Sequence, residues 1–191
     1  MNLSRNKILY YSDLLATGVY YLILFLFLVF LAFIASSYFI PEALAPVTLN
    51  NPFNPGYGTV GLQLHPSVKN VPENAFQLSD LNGAMLAWMI IRQAFFVWIT
   101  ILIIKRIKKV IKSVEALKTF YQENIKHFKQ IAKLAFVGFV FSCFNFSYID
   151  GDFSFRLKII WGPLILSMLC LLLTEIFKEG KQLLEDKNSI I

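Results

Sequence analysis

The chain has 191 residues, of which 57% are hydrophobic, 16% aromatic and 16% charged, and its formal net charge is +6. Soluble domains usually carry about a quarter charged residues, so this composition excludes a disordered chain and argues against a soluble enzyme domain. The apolar residues lie in long blocks, which indicates an integral membrane protein.

The first apolar block, residues 14–40, predicts a membrane-spanning helix that ends before Pro41. Arg5 and Lys7 before the block, and Ala43-Leu44-Ala45 after it, also resemble the flanks of a cleaved signal peptide. The apolar core of a signal peptide is only about 7–15 residues long, however, and this block is much longer. We therefore predict that the block is retained as the first span.

Three further apolar blocks predict spans at 83–104, 131–149 and 159–177. Each has close to the ~20 residues that a helix needs to cross the hydrocarbon core of a bilayer. The predicted fold class is therefore all-α integral membrane. It is a single membrane domain, 1–191, of four transmembrane helices with a small extracytoplasmic cap that contains β-strands.

Lysine and arginine are distributed unequally between the segments that flank these spans. Apart from Arg92, Lys69, Arg156 and Lys158, all of the 18 basic residues lie before the first span, between the second and third as far as Lys133, or after the fourth. Cytoplasmic loops carry the excess of positive charge. Both termini, the inner basic segment 105–130 and the inner tail 178–191 are therefore predicted to be cytoplasmic.

The outer loops are then 41–82 and 150–158. Residues 59–64 of the first loop alternate as a β-strand does. Residues 56–61 match the letters of a dinucleotide-binding glycine motif, but prolines precede them and a strand-like run follows, so we expect Gly-rich turns there.

The second outer segment, 144–156, alternates about Asp150-Gly151, which is a strong signal for a β-hairpin. The alternative is that the third helix continues as far as Ile149. The hairpin is the favoured interpretation, and we expect it to join the strand of the first loop in one β-containing cap.

On the inner side, apolar residues from Ile107 to Leu117 recur at helical spacing, which predicts that the second helix continues beyond the membrane. Basic side chains cover the rest of this extension. They are either a helix surface that lies against an anionic inner leaflet or a docking face for an acidic cytoplasmic protein. The predicted docking face comprises Lys105, Arg106, Lys108, Lys109 and Lys112. No nucleic-acid recognition motif accompanies these charges, so direct binding of nucleic acid is not expected.

Arg92 lies deep inside the second predicted span. Ionisable residues at that depth usually face the interior of the helix bundle and find partners there. Polar residues at similar depths in the other helices predict a buried polar cluster of Arg92 with Ser142, Asn145 and Ser167. Its role is either structural or the binding of a small anion or lipid head group.

We expect no enzymatic activity, cofactor or metal. No Ser–His pair or carboxylate pair shares a depth in the membrane. Cys143 and Cys170 fall in apolar segments, and His65 and His127 fall on opposite predicted sides of the membrane, so they form no recognisable metal site.

Two stretches at the predicted inner surface carry a family resemblance. Phe120 and Asn124 fit the pattern F-x-x-x-N-I before the third span. After the fourth span, the pattern F-x-E-G-x-x-L-x-E is met by Phe177, Glu179, Gly180 and Leu183. With these motifs the sequence resembles the domain-of-unknown-function 2975 family of small bacterial membrane proteins with four predicted spans.

The resemblance implies a bacterial inner-membrane protein without an established activity. Members of the family are often encoded beside a small helix-turn-helix regulator, which implies a cytoplasmic protein partner. From the residues alone, Gly180 is suited to end a helix in the left-handed conformation. The apolar end of the chain would then fold back beneath the bundle, near Phe120.

The sequence therefore favours a non-enzymatic membrane sensor or adaptor that binds or regulates a cytoplasmic partner. The alternative is a small oligomeric transporter or channel component with a buried arginine site. Arg92 favours that alternative, whereas the scarcity of polar residues along the spans and the lack of an internal repeat do not.

Overall fold

The computed structural model describes residues 3–39, 47–49, 62–64, 76–77, 83–116, 120–149 and 152–189. These residues form the helices α1 (Leu3–Phe39), α2 (Gly83–Glu115), α3 (Gln122–Cys143) and α4 (Trp161–Ser189). They also form the strands β1 (Val47–Leu49), β2 (Leu62–Leu64), β3 (Phe76–Gln77), β4 (Phe144–Ile149) and β5 (Asp152–Leu157).

Three of the helices are long and apolar enough to cross a membrane: α1 over Lys7–Ser36, α2 over Leu86–Glu115 and α4 over Trp161–Asp186. Large apolar side chains on them are exposed; Phe25 and Leu172, for example, are 62% and 59% exposed. In water, leaving a side chain of this size exposed forgoes about 1.5–3 kcal/mol, so these surfaces suit lipid. The prediction of a multi-pass helical membrane protein is confirmed.

α3 is less apolar than the other helices and does not meet the same criterion of length and composition. It begins at Gln122 and ends at Cys143, whereas the predicted span was 131–149. Exposed lysines occupy its first half: Lys126, Lys129 and Lys133. The apolar remainder, 134–143, extends about 15 Å, which is half of the hydrocarbon thickness.

α2 and α4 both continue past the predicted inner ends of their spans. α2 continues from Ile104 to Glu115 without a break, and α4 continues from Phe177 to Ser189. The predicted inner tail is therefore helical as far as Ser189. The prediction that Gly180 ends this helix, and with it the fold-back of the chain at that point, is wrong.

The strands form two separate sheets. β4 and β5 pair antiparallel directly after α3, with Phe146 opposite Phe155, and β1, β2 and β3 form an antiparallel sheet in the order β2-β1-β3. Across the described ranges no strand pairing joins the two sheets, so the single cap is not supported. The glycine motif at 56–61, and most of the outer loop 41–82, lie outside the described residues.

The chain divides into two compact units. Unit one comprises Met1–Leu24, Phe95–Cys143 and Ile159–Ile191, and unit two comprises Phe25–Ala94 and Phe144–Lys158. In unit two the indole of Trp88 lies edge-on to the ring of Phe146, with centroids 5.7 Å apart.

In unit one, α3 supplies the most buried side chains. Ile131 and Ala132 are each 1% exposed and Ala135 is 2% exposed. Small residues on this face allow neighbouring helix backbones to approach closely. The Oγ of Ser167 in α4 accordingly reaches the backbone of α3, where it donates a 3.0 Å hydrogen bond to the carbonyl of Ala132.

Candidate functional site

A pocket of about 660 Å³ opens between the extension of α2 and the first turns of α3, within unit one. We call it the basic cleft, and its lining residues are Arg106, Lys109, Lys112 and Ser113 from α2 with Glu123, Asn124, Lys126, His127 and Gln130 from α3. Four of these side chains are lysine or arginine and one is a carboxylate. The cleft therefore presents an excess of positive charge.

Helical spacing explains which basic residues of α2 reach the cleft. Arg106, Lys109 and Lys112 recur every three residues, so they lie along one side of the helix. Lys108 lies on another side, where its Nζ is 2.6 Å from Oγ1 of Thr17 and 3.7 Å from Oδ1 of Asp13 in α1.

The predicted docking face is therefore divided. Arg106, Lys109 and Lys112 line the basic cleft, whereas Lys108 holds α1 and Lys105 is exposed without lining the cleft. The docking face of these five residues stays a prediction, and they do not all line one pocket.

Ion pairs among the described residues do not neutralise the positive charge that α2 brings to the cleft. In the part of the chain that the structure describes, ion pairs shorter than 4.0 Å are formed by Lys108, Lys178 and Lys181 and by no basic side chain of α2 that lines the cleft. α3 also begins here, at Gln122. The N–H groups of a first helical turn add partial positive charge, so the cleft attracts anions.

His127 reports the electrostatics of the cleft. Burial lowers the pKa of His127 below its ordinary value of 6.5, and the nearby charges of Arg106 and Lys109 lower it further. The polar side chain of Gln130 and the charge of Glu123 act in the opposite direction. The surroundings of His127 in the cleft therefore favour its neutral form.

Sequence reasoning assigned the cleft neither His127 nor Gln130. Asn124, His127 and Gln130 recur every three residues in the chain, and this polar spacing at the start of α3 was the available signal. It was not used because the third helix was predicted to begin only at 131.

The two motifs of the family resemblance meet within unit one. The ring centroid of Phe120 lies 5.5 Å from that of Phe177, and an added Cβ at Gly180 would be 2.5 Å from Cε1 of Phe120. Asn124 is fully buried at 0% exposure and lines the basic cleft. The remaining motif residues, Glu179 and Leu183, are exposed.

The predicted polar cluster is distributed over both units. The hydroxyl of Ser142 donates to the carbonyl of Phe139 in its own helix at 2.7 Å, and that of Ser167 donates to Ala132. Arg92 is half-buried and belongs to unit two, and the side chain of Asn145 lies outside the described residues. The joint cluster therefore stays a prediction.

A second pocket of about 580 Å³ lies between α3 and α4, also within unit one. It shares Lys126 with the basic cleft, but apolar Ile125 and Leu171 contribute to its lining. Its basic residue on α4, Lys178, donates a 2.8 Å hydrogen bond to Oε1 of Glu175. Glu175 thus offsets the positive charge of Lys178 in the second pocket, so the basic cleft is the stronger candidate for binding an anion.

No protein-family model, curated protein or solved structure matches the chain. The resemblance to the domain-of-unknown-function 2975 family therefore stays a prediction that rests on the two motifs. Among the described residues, no three His, Cys, Asp or Glu side chains are grouped so that they could hold a metal ion.

Proposed function

We propose that this chain is a non-enzymatic sensor or adaptor of the bacterial inner membrane, and that its basic cleft holds an acidic cytoplasmic partner. The observation that carries this proposal is the excess positive charge of Arg106, Lys109, Lys112 and Lys126 around one pocket. A small helix-turn-helix regulator is the partner that the family resemblance implies.

The proposal places four helices in the membrane, with both termini and the basic cleft in the cytoplasm. The packing of α3 supports its inclusion, although its own composition is marginal. The ring centroids of Phe141 in α3 and Phe95 in α2 are 4.2 Å apart, and Ser167 of α4 bonds to Ala132. Since α3 lies along two apolar helices, it shares their depth, and the β4–β5 hairpin then belongs to the outer side.

The alternative function is a small oligomeric transporter or channel component, and half-buried Arg92 is the observation that favours it. Hydroxyl groups along the helices argue against a polar conduit, because they donate to backbone carbonyls. Thr100 donates to Phe96, Ser142 to Phe139 and Thr174 to Cys170. Solute flux through vesicles that contain only this protein would support the alternative.

The adaptor proposal is tested by cross-linking in cells. A photo-reactive amino acid replaces Ser113, which lines the cleft, and the readout is its covalent product with the small helix-turn-helix regulator that the family resemblance implies. We expect Lys109→Glu to abolish the product. Lys105→Glu is the matched control, because it makes the same charge change on the same helix outside the cleft. An equal yield of the cross-linked product from the Ser113-labelled protein without further change and from its Lys109→Glu and Lys105→Glu variants would contradict the proposal.

A further inference from the structure

The chemistry of the basic cleft is more specific than general attraction for acidic groups. Arg106 offers a planar fork of N–H donors, which matches two oxygens of a phosphate group. Lys109, Lys112 and Lys126 add ammonium donors around the same space. A multiply charged tetrahedral anion matches this excess of cations better than a single carboxylate does.

Neutral donors complete the lining of the cleft. The hydroxyl of Ser113 and the amides of Asn124 and Gln130 lie among the cations. Glu123, in the first turn of α3, also lines the cleft, so the partial positive charge of this helix end lies beside it. Mixed cationic and neutral donors of this kind are the usual partners of phosphate oxygens.

The size and lining of the cleft narrow the ligand further. A volume of about 660 Å³ is in the range of small-molecule sites and exceeds what a bare phosphate ion fills. Among the described residues, no Phe, Tyr or Trp lines the cleft, so stacking of a nucleobase there would depend on His127 and Arg106 alone. The expected ligand is therefore a phosphate group on a non-aromatic carrier.

The position of the cleft along α2 indicates where such a ligand is found. The apolar run of α2 ends at Ile104, and Arg106 follows two residues later. The cleft thus begins where the helix leaves its apolar stretch, which is the level of phospholipid head groups in a bilayer. A lipid head group and a soluble phosphate compound both reach this level from the cytoplasm.

We propose that the basic cleft is a binding site for a phosphate monoester, which is supplied either by a lipid head group or by a soluble phosphate compound. The proposal rests on the proposed function for the cytoplasmic placement of the cleft, but it needs no protein partner. A bound phosphate offsets the charge that an acidic partner meets, so the ligand competes with that partner and regulates its docking.

The test uses the purified full-length protein in a maltoside detergent, at constant pH and constant ionic strength in chloride. Binding of two phosphate monoesters is measured by calorimetry: glycerol 3-phosphate as the soluble probe, and dihexanoyl phosphatidic acid below its micellar concentration as the lipid probe. We expect saturable binding of at least one probe. Similar affinity for both indicates a soluble source, and binding of the lipid alone indicates a head group.

Substitutions distinguish a built site from general attraction to lysine. Lys109→Gln is expected to weaken binding by roughly tenfold or more, because it removes a charge-assisted hydrogen bond. The double variant Arg106→Gln with Lys109→Gln is expected to abolish binding. Lys105→Gln is the matched control and is expected to bind as the wild type does. Circular dichroism and size-exclusion profiles verify that each variant is folded.

Two outcomes would overturn the phosphate site: binding of neither probe by the folded wild type, or an equal loss in the Lys105 and Lys109 variants. The proposed function is tested separately by the Ser113 cross-link. If the regulator is cross-linked but neither probe binds, the phosphate site is rejected and the adaptor proposal stands. If a probe binds but the regulator is not cross-linked, the adaptor proposal is rejected and the phosphate site stands.

Discussion

The ring of Phe120 covers Gly180 so closely that a Cβ at position 180 would lie 2.5 Å from Cε1 and 2.6 Å from Cδ1 of the ring. Phe120 precedes α3, and Gly180 lies on α4, so this contact joins the turn before α3 to the C-terminal half of α4. The ring is also packed against Phe177 at 5.5 Å, which limits how far it can move away.

Gly180→Ala is therefore expected to destabilise the protein, because overpacking of this kind costs about 1–3 kcal/mol and exceeds the gain of about 1 kcal/mol in helix propensity. The measurement is thermal unfolding in detergent. Gly162→Ala is the control on the same helix, since a Cβ there meets nothing within 4 Å. Phe120→Leu combined with Gly180→Ala is expected to recover part of the loss. A Gly180→Ala protein as stable as Gly162→Ala would disprove the contact.

Gly138 provides a graded test of the packing between α2 and α3. A Cβ added there would lie 3.8 Å from Cγ2 of Ile99, which is ordinary van der Waals distance, so Gly138→Ala is expected to be tolerated. Gly138→Leu is expected to lower stability, because its larger side chain must displace Ile99, which is 4% exposed. The two unfolding transitions should differ clearly. Equal stability of both variants would mean that α2 and α3 do not pack here.

The pKa of His127 is expected to be lower than 6.5 in the folded protein, owing to burial and to Arg106 and Lys109. The unfolded chain then binds the proton more readily than the folded protein does. The stability that the neutral imidazole of His127 contributes is therefore fully present above about pH 6.5 and is lost as pH falls below that value. Nuclear magnetic resonance of labelled histidine in a His65→Gln background measures the titration directly. Lys112 and Lys126 also face the cleft, and Glu123 is the acidic residue among its lining. Because a bound phosphate adds negative charge beside the imidazole, it is expected to raise the pKa of His127. A pKa at or above 6.5 without phosphate would refute the expected shift.

The contact of Lys108 with α1 is expected to be stabilising but weak. The side chain of Asp13 is 37% exposed, and partly exposed ion pairs contribute about 0.2–1 kcal/mol. A double-mutant cycle of Asp13→Asn and Lys108→Met measures the coupling energy. The same cycle with Lys105→Met in place of Lys108→Met should give no coupling, and equal couplings in the two cycles would rule out the specific contact.

The proposed orientation predicts that both chain termini are cytoplasmic. A fluorescent reporter that matures only in the cytoplasm is expected to be active after Ile191, and a phosphatase reporter that requires the periplasm is expected to be inactive there. The same pair of reporters within the outer loop 41–82 should give the opposite pattern. Periplasmic activity after Ile191 would overturn the orientation and the adaptor with it.

Long apolar blocks were sufficient to predict α1, α2 and α4, because transfer into lipid depends on composition averaged over a whole helix. α3 was misplaced for the same reason. Lys126, Lys129 and Lys133 lower its average, although they lie on its exposed side while Ile131 and Ala132 are buried. An average over sequence does not separate the two sides of an amphipathic helix.

The candidate site was predictable only in part. The basic extension of α2 could be read from the spacing of its lysines, but its partner could not. Neighbouring Lys108 and Lys109 point about 100° apart on a helix, and only the three-dimensional arrangement shows that one meets Asp13 and the other the cleft. Gly180 was assigned to a helix end because glycine is common there, whereas its observed role is to leave room for Phe120.

The lysine-bearing first half of α3 has a consequence for biogenesis. The helical segment after Lys133 has only ten residues, of which eight are hydrophobic. Such a segment partitions poorly into lipid by itself, so the translocon is not expected to transfer it into the bilayer when it first emerges. Its stable placement depends on a neighbour that is synthesised later, since Ser167 of α4 bonds directly to Ala132. Insertion of α3 is therefore expected to be delayed until α4 has left the ribosome, and the two helices enter the bilayer as a pair.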